Sequence, residues 1–166
     1  FNSGSTEGIA TVFHSILSEA KKNNRTSFII SGFEHAAIPN TANYYQKEGF
    51  EEKVLPTTKS GIVDMEVLKR WLEEGKEQLA MVSIMAANNE SGIIQPYKEI
   101  GRLCNNHNIP FFCDTTQYIG KAPFNFEESE MDYAILSGHK IGALTGAGIL
   151  LAKDPTLLKP LIIGGG

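Results

Sequence analysis

The residues best suited to chemistry lie in the tetrapeptide Ser137-Gly138-His139-Lys140. It follows an apolar run, Asp132-Tyr133-Ala134-Ile135-Leu136, that reads as a buried strand. A lysine at the mouth of such a strand is costly unless something neutralises or uses its amine. One use is as a nucleophile toward an aldehyde, which gives a Schiff base. An aldehyde cofactor of that kind needs an anion for its ring, donors for its oxygens and a cradle for its charged tail.

Candidates for each need are spread along the chain. Asp114 closes the apolar run Phe111-Phe112-Cys113, so its carboxylate sits near a low-dielectric interior and needs a cationic or N–H partner. A protonated pyridine nitrogen is one such partner and makes the ring an electron sink; a strand-end Asp capping the next turn is the plain alternative. Gln117, one turn later, can donate to a phenolate oxygen. His35, in Glu34-His35-Ala36-Ala37, has small neighbours that leave room for a flat ring to stack, or it is a solvent-facing histidine at a helix start. Asn89, in Asn88-Asn89-Glu90-Ser91-Gly92, is either turn chemistry or an amide facing a phenolate or a substrate carboxylate. Gly4-Ser5-Thr6 enters a helix. It is either an ordinary N-cap or a phosphate cradle of free N–H groups and a hydroxyl. Ser137 and His139 bracket Lys140 and suit a second set of phosphate contacts. His14, His107, Cys104 and Cys113 show no metal-ligand spacing, so no metal site is expected.

The elements that must position these residues alternate short apolar runs with amphipathic helical patterns, the signature of βαβ units. Helices are expected from Ser5 or Thr6, from near Ala36 to Lys47, after an Asp64 cap and from Pro96. Strands are expected at 27–30, 53–55, 79–85, 111–114, 134–136 and 148–151. The last connection is too short for a crossover helix, so the final strand is expected to be antiparallel. The fold class is α/β, a three-layer α/β/α sandwich with a mainly parallel mixed sheet. Ligands of such sheets bind at the carboxyl ends of strands, where Asp114, Asn89, His35 and Lys140 all fall.

With 166 residues the chain can bury a real core, and 42% hydrophobic with 20% charged residues suits a water-soluble domain. No apolar run approaches a membrane span. A net charge of −4 with scattered Lys and Arg argues against a nucleic-acid surface. Two cysteines without secretory marks are expected to be reduced thiols in the cytoplasm. The chain opens on Phe1-Asn2-Ser3-Gly4 and closes on Gly164-Gly165-Gly166, and so reads as the middle of a longer protein.

The stretches Ser3-Gly4-Ser5-Thr6-Glu7, Glu34-His35-Ala36-Ala37, Asn88-Asn89-Glu90-Ser91-Gly92, Asp114-Thr115-Thr116-Gln117, Ser137-Gly138-His139-Lys140 and Gly164-Gly165-Gly166 occur in a telling order. In that order the chain resembles the central part of NifS-like cysteine desulfurases, in the class V aminotransferase family of pyridoxal-phosphate enzymes. The resemblance implies that residues 1–166 form an incomplete large domain of the pyridoxal-phosphate-dependent transferase fold. An N-terminal segment and a C-terminal small domain would be absent.

It also implies pyridoxal 5'-phosphate as cofactor and roles for particular residues. Lys140 would carry the aldehyde and move the substrate Cα proton, with His35 stacking on the ring and assisting. Asp114 would pair with the ring nitrogen, Gln117 with the phenolate oxygen, and Asn89 with cofactor and substrate carboxylate. Ser5, Thr6, Ser137 and His139 would line the cofactor site, the last three on the phosphate.

The implied reaction takes L-cysteine to alanine and passes sulfur to an enzyme cysteine, for iron–sulfur clusters or another sulfur-acceptor protein, in a cytoplasmic homodimer. The residues differ from the family where Gly142-Ala143-Leu144-Thr145-Gly146 replaces a Gly-Pro-Lys-Gly-like run, and neither Cys104 nor Cys113 matches the sulfur-accepting cysteine. A selenocysteine lyase, an aminotransferase and a non-catalytic scaffold are the alternatives. The segment alone is expected to be inactive, because no second domain closes over the ligand.

Overall fold

A computed structural model describes residues 1–164; Gly165 and Gly166 of the terminal glycine run lie outside the described residues. Helix α1 (Ser5–Lys22) precedes β1 (Ser27–Ser31), α2 (Ala37–Lys47) and β2 (Glu51–Leu55). Then come α3 (Met65–Gly75), β3 (Leu79–Ser83), α4 (Tyr97–Asn106) and β4 (Phe111–Asp114). Strands β5 (Tyr133–Ser137) and β6 (Gly148–Ala152) follow, with a 3-10 turn over Gly138–Ile141 between them.

The six strands form one sheet in the order β2-β1-β3-β4-β5-β6. All neighbours are parallel except β5 and β6, which run antiparallel as expected from their short connection. Strands β1, β3, β4 and β5 are buried along their whole length, as parallel strands covered on both faces must be.

Alternation along each strand sorts side chains into two cores. Phe28 and Ile30 of β1, Phe112 of β4 and Ile135 of β5 pack with α1 and α2 around Ile9, Val12, Phe13, Ile38 and Ala42. Ile29, Val82, Phe111, Cys113 and Ala134 face the opposite way, onto Leu68 and Leu72 of α3 and Ile100 and Cys104 of α4. The helices thus form outer layers on both faces, the expected three-layer arrangement. Among the described residues no helix is long and apolar enough to cross a membrane.

Several boundaries move by a single residue, and three differences from expectation have a clear physical reason. Strand β2 starts two residues earlier, because Glu51 and Glu52 lie on the edge strand of the sheet, where Glu51 is exposed and Glu52 only half-buried. Strand β3 ends at Ser83 rather than Met85. Beyond it the chain stays on β4, with Ile84 N–H donating to the Phe112 carbonyl and Ala86 N–H to the Asp114 carbonyl, while Met85 N–H donates to Glu34 Oε1 instead of a β1 carbonyl. Finally, neither Ser5 nor Thr6 caps α1. Gly4 holds the cap position at φ 151°, a conformation that favours glycine, and Ser5 and Thr6 are already helical. By contrast Asp64 caps α3 as expected, accepting from Glu66 and Val67 N–H.

Strand order reverses direction at the β1/β3 boundary: β1 leads out through α2 on one face, and β3 through α4 on the other. The carboxyl ends of β1 and β3 therefore diverge and open a crevice, the usual ligand position in doubly wound sheets.

Phe112 is fully buried and meets Phe13 edge-on at 6.3 Å. Phe112→Ala is expected to cost about 3–5 kcal/mol, read as a drop in the urea unfolding midpoint, with the circular dichroism of the folded baseline unchanged.

Candidate active site

Four strand ends and one helix start converge on a cleft of ≈ 490 Å³. After β1 comes His35, after β3 Asn89, at the end of β4 Asp114 with Gln117 beyond it, and after β5 Ser137, His139 and Lys140. Ser5 and Thr6 enter from the N-terminus of α1. All nine residues picked out in the sequence line this one cleft, although they span 136 positions from 5 to 140.

The floor is buried and the walls are open. Asp114 is 4% exposed. Its Oδ1 accepts from Thr116 N–H at 2.9 Å, and no ion pair reaches it among the described residues. Burial pushes its carboxyl above the ordinary aspartate range, against the Thr116 hydrogen bonds and the neighbouring His35, which pull it down. Beside it the Thr116 hydroxyl is buried without a partner. Lys140 instead is exposed on the 3-10 turn. The expectation that its amine is desolvated by the strand is therefore corrected: the apolar run stops at Ser137, and the turn carries the lysine out into the cleft. His35, Asn89 and His139 are likewise exposed.

The α1 end of the cleft is built for an anion. Glu7 turns back onto Ser3, accepting from its N–H at 2.8 Å and its hydroxyl at 2.6 Å. No side chain caps the first turn, so its N–H groups and the positive helix end remain available. Ser137 Oγ lies close to this turn, 3.8 Å from where a Cβ on Gly4 would stand, and it pairs with His139 Nδ1 at 2.9 Å. Gly148 of β6 lets the turn come this close. A Cβ there would stand 2.6 Å from Gly4 Cα.

Several side chains the sequence did not single out hold the named ones in place. Asn88 binds the Phe33 carbonyl through its amide at 2.9 Å and accepts from Glu90 and Ser91 N–H, which leaves Asn89 facing the cleft. Lys121 donates to Gln117 Oε1. An ammonium can only donate, so the Gln117 NH₂ is the end left for a ligand. That pair sits at an (i, i+4) spacing, brought together by the consecutive turns that follow β4.

An unpaired buried carboxyl, an orphaned hydroxyl, free first-turn amides and an accessible amine fit one kind of ligand. It has a cationic ring nitrogen at one end, a phosphate at the other and an aldehyde between. No cluster of metal-ligating side chains occurs among the described residues.

A fold of this topology, with an amine, a buried carboxyl and an anion cradle at the strand ends, defines a class, and the comparisons agree. The chain belongs to the class V aminotransferase family, whose model matches residues 1–166. It is 39% identical over 168 residues to the cysteine desulfurase IscS of Rickettsia prowazekii, covering 100% of this chain and 40% of that protein. It is 36% identical to the mitochondrial cysteine desulfurase of Arabidopsis thaliana, again over 100% of this chain and 36% of the relative. Among solved structures a NifS-like protein superposes with a TM-score of 0.92 at 35% identity, over 99% of this chain and 45% of that one. SspA in complex with cysteine superposes at 0.88 and 27% identity, over 99% and 47%. The chain thus spans about 40% of the length of the curated relatives it matches.

Two outcomes follow from this geometry. In cofactor-free protein Asp114→Asn is expected to raise stability at neutral pH. With its folded value raised, the carboxyl is protonated in both folded and unfolded chains at low pH. As pH climbs through the folded value it becomes a penalised buried anion. Urea unfolding from pH 4 to 7.5 should show the advantage of Asn growing with pH; a constant difference would refute it. Gly148→Ala should push the Gly4 turn off the sheet and weaken phosphate binding by about tenfold, the loss of roughly one charge-assisted hydrogen bond, measured by isothermal titration with pyridoxal 5'-phosphate against pyridoxal.

Proposed function

We propose that this segment is the cofactor-binding large domain of a cysteine desulfurase that holds pyridoxal 5'-phosphate and acts on L-cysteine. The observation that carries the reading is the meeting of Lys140, Asp114, His35 and Gln117 in a single cleft at the switch of the sheet. The relatives named cysteine desulfurases across the full length of this chain support it.

When bound, the cofactor supplies an electron sink for the carbanion left at the substrate Cα. The chain does the rest. Lys140 Nζ would be the amine that holds the aldehyde and the base that takes the Cα proton. Asp114 keeps the ring nitrogen protonated, and an incoming cation lets the buried carboxyl ionise without penalty. Gln117 would donate its NH₂ to the ring oxygen, with its Oε1 already held by Lys121. His35, on the β1 side of the cleft, would stack on the ring, and Asn89, on the β3 side, would contact the cofactor and the substrate carboxylate. The first turn of α1, with Thr6, Ser137 and His139, binds the phosphate.

Neither cysteine described here receives the sulfur. Cys104 and Cys113 are both buried, and burial pushes both thiols above their ordinary range, which removes the thiolate a sulfur transfer needs. The accepting thiol therefore belongs to another part of the protein. We further propose a cytoplasmic homodimer that passes sulfur to an acceptor protein for iron–sulfur or related biosynthesis. The large-domain assignment of residues 1–166 is part of the same proposal, and the segment alone is expected to be inactive.

Full-length protein loaded with pyridoxal 5'-phosphate and given L-cysteine is expected to release alanine and sulfide. Lys140→Ala should lose the visible band of the bound aldehyde and slow alanine release by roughly 10³-fold or more, about 4 kcal/mol of barrier. Alanine formation at the parent rate in that variant would overturn the assignment.

A further inference from the structure

We propose that Glu34 is a positioning residue of this site that acts as a neutral carboxylic acid, fastening the His35 turn to the Met85–Asn89 segment across the β1/β3 crevice. The proposal deepens the reading of the cleft and rests on it for its effect on the cofactor.

The residue stands where the sheet is weakest. At the switch between β1 and β3 the ladder stops at the Ile30–Ser83 pair, and the two chains leave toward opposite faces. Past that point Glu34 replaces the ladder. Its Oε1 accepts from Met85 N–H at 2.8 Å on the β3 side and from Ser31 Oγ on the β1 side. One carboxyl oxygen thus joins both walls of the crevice, one residue before His35. The Asn88 amide bound to the Phe33 carbonyl makes a second tie a short way along.

The other oxygen decides the protonation state. Glu34 Oε2 is buried and has no hydrogen-bond partner. Among the described residues no lysine or arginine forms an ion pair with it. The titratable groups that face it are Asp114 and the Cys113 thiol, both from β4, with His35 adjacent in its own turn. An ionised Glu34 would be a second buried anion beside Asp114 with one oxygen unsolvated, an arrangement that strongly favours keeping a proton on one of the two. Burial is the main cause that moves the Glu34 carboxyl from its ordinary 4.5 to about 8, and the charge of Asp114 adds to it. A proton on Oε2 leaves Oε1 free to accept both of its hydrogen bonds. It also leaves Asp114 as the one anion of the floor, which is the residue that must attract a ring cation.

The test compares full-length Glu34→Gln and Glu34→Ala with the parent. Glutamine is the isosteric mimic of the protonated acid: its carbonyl can accept from Met85 and Ser31 while its NH₂ stands where the O–H stood. Glu34→Gln is expected to hold pyridoxal 5'-phosphate within about threefold of the parent, and Glu34→Ala about tenfold or more weaker, the scale of losing one buried hydrogen-bonded tie. In cofactor-free protein the Met85 amide should remain protected from hydrogen exchange in the Gln variant and exchange faster in the Ala variant.

Melting temperature against pH supplies the remaining arm. With a raised folded value, the contribution of Glu34 to stability is complete below about 4.5 and lost as pH rises through about 8. The part of the fall owed to Glu34 should be missing in Glu34→Gln, so the advantage of Gln over the parent should grow across that range, while the part owed to Asp114 remains in both. A Gln variant as weak toward cofactor as Ala would show that the anion is needed and overturn the proposal, as would an Ala variant indistinguishable from the parent. If Glu34→Ala does not fold, the Gln variant still decides, since a stability difference between parent and Gln that does not change with pH refutes a proton held at this position. Should no variant and no parent bind the cofactor, the proposed function fails, while exchange and melting of the cofactor-free protein continue to report on Glu34.

Discussion

A carboxyl buried at the end of a strand without a cation is the constraint on which the site depends. Asp114 sits on the cleft floor because β4 is a central strand covered on both faces, and covering it is what makes the sheet stable. The same burial that stabilises the fold makes the ionised carboxyl unfavourable in the cofactor-free protein. A ligand bearing a positive ring nitrogen removes that penalty, so part of the cost of keeping Asp114 dry returns as binding energy. The site is in this sense strained electrostatically before it is filled, and the open walls carrying Lys140, His35 and Asn89 allow a ligand to enter.

Parallel strand order supplies the second requirement. Four neighbouring strands run the same way, so their carboxyl ends deliver side chains to one edge of the sheet without any long loop. Reversal of direction between β1 and β3 opens that edge, and the price is a place where the backbone ladder ends early. Glu34 and Asn88 span the gap with side-chain hydrogen bonds. Small residues do comparable work at the anion end, where Gly4 turns and Gly148 gives it room, so that the first turn of α1 meets Ser137.

Much of this was legible in the sequence because the relevant physics is local. Short apolar runs between amphipathic patterns gave the strands and helices, and a connection too short for a crossover gave the antiparallel β6. The chemistry-bearing residues were recognisable for a related reason: Asp114 and Ser137 close strands, and chains of this class carry ligands at strand ends. Where local signals competed, the sequence misled. Ser5 and Thr6 have cap-forming side chains, yet Gly4 takes the cap because only a glycine turns there easily. Glu51 and Glu52 fell outside the expected strand, yet its edge position takes in two charged residues without burying them fully. Lys140 looked desolvated, yet a 3-10 turn lifts it clear of the strand.

What the chain order by itself determined is the set of elements and which residue ends each of them, since hydrophobic period, turn residues and connection length act over a few neighbouring positions. What only the folded structure decided is which of those ends touch. The tie from Glu34 to Met85, the approach of Gly4 to Ser137 and Gly148, and the turning of the Gln117 amide by Lys121 all depend on strand order and register. Those are set by packing two cores at once, a collective property that no short stretch of sequence carries.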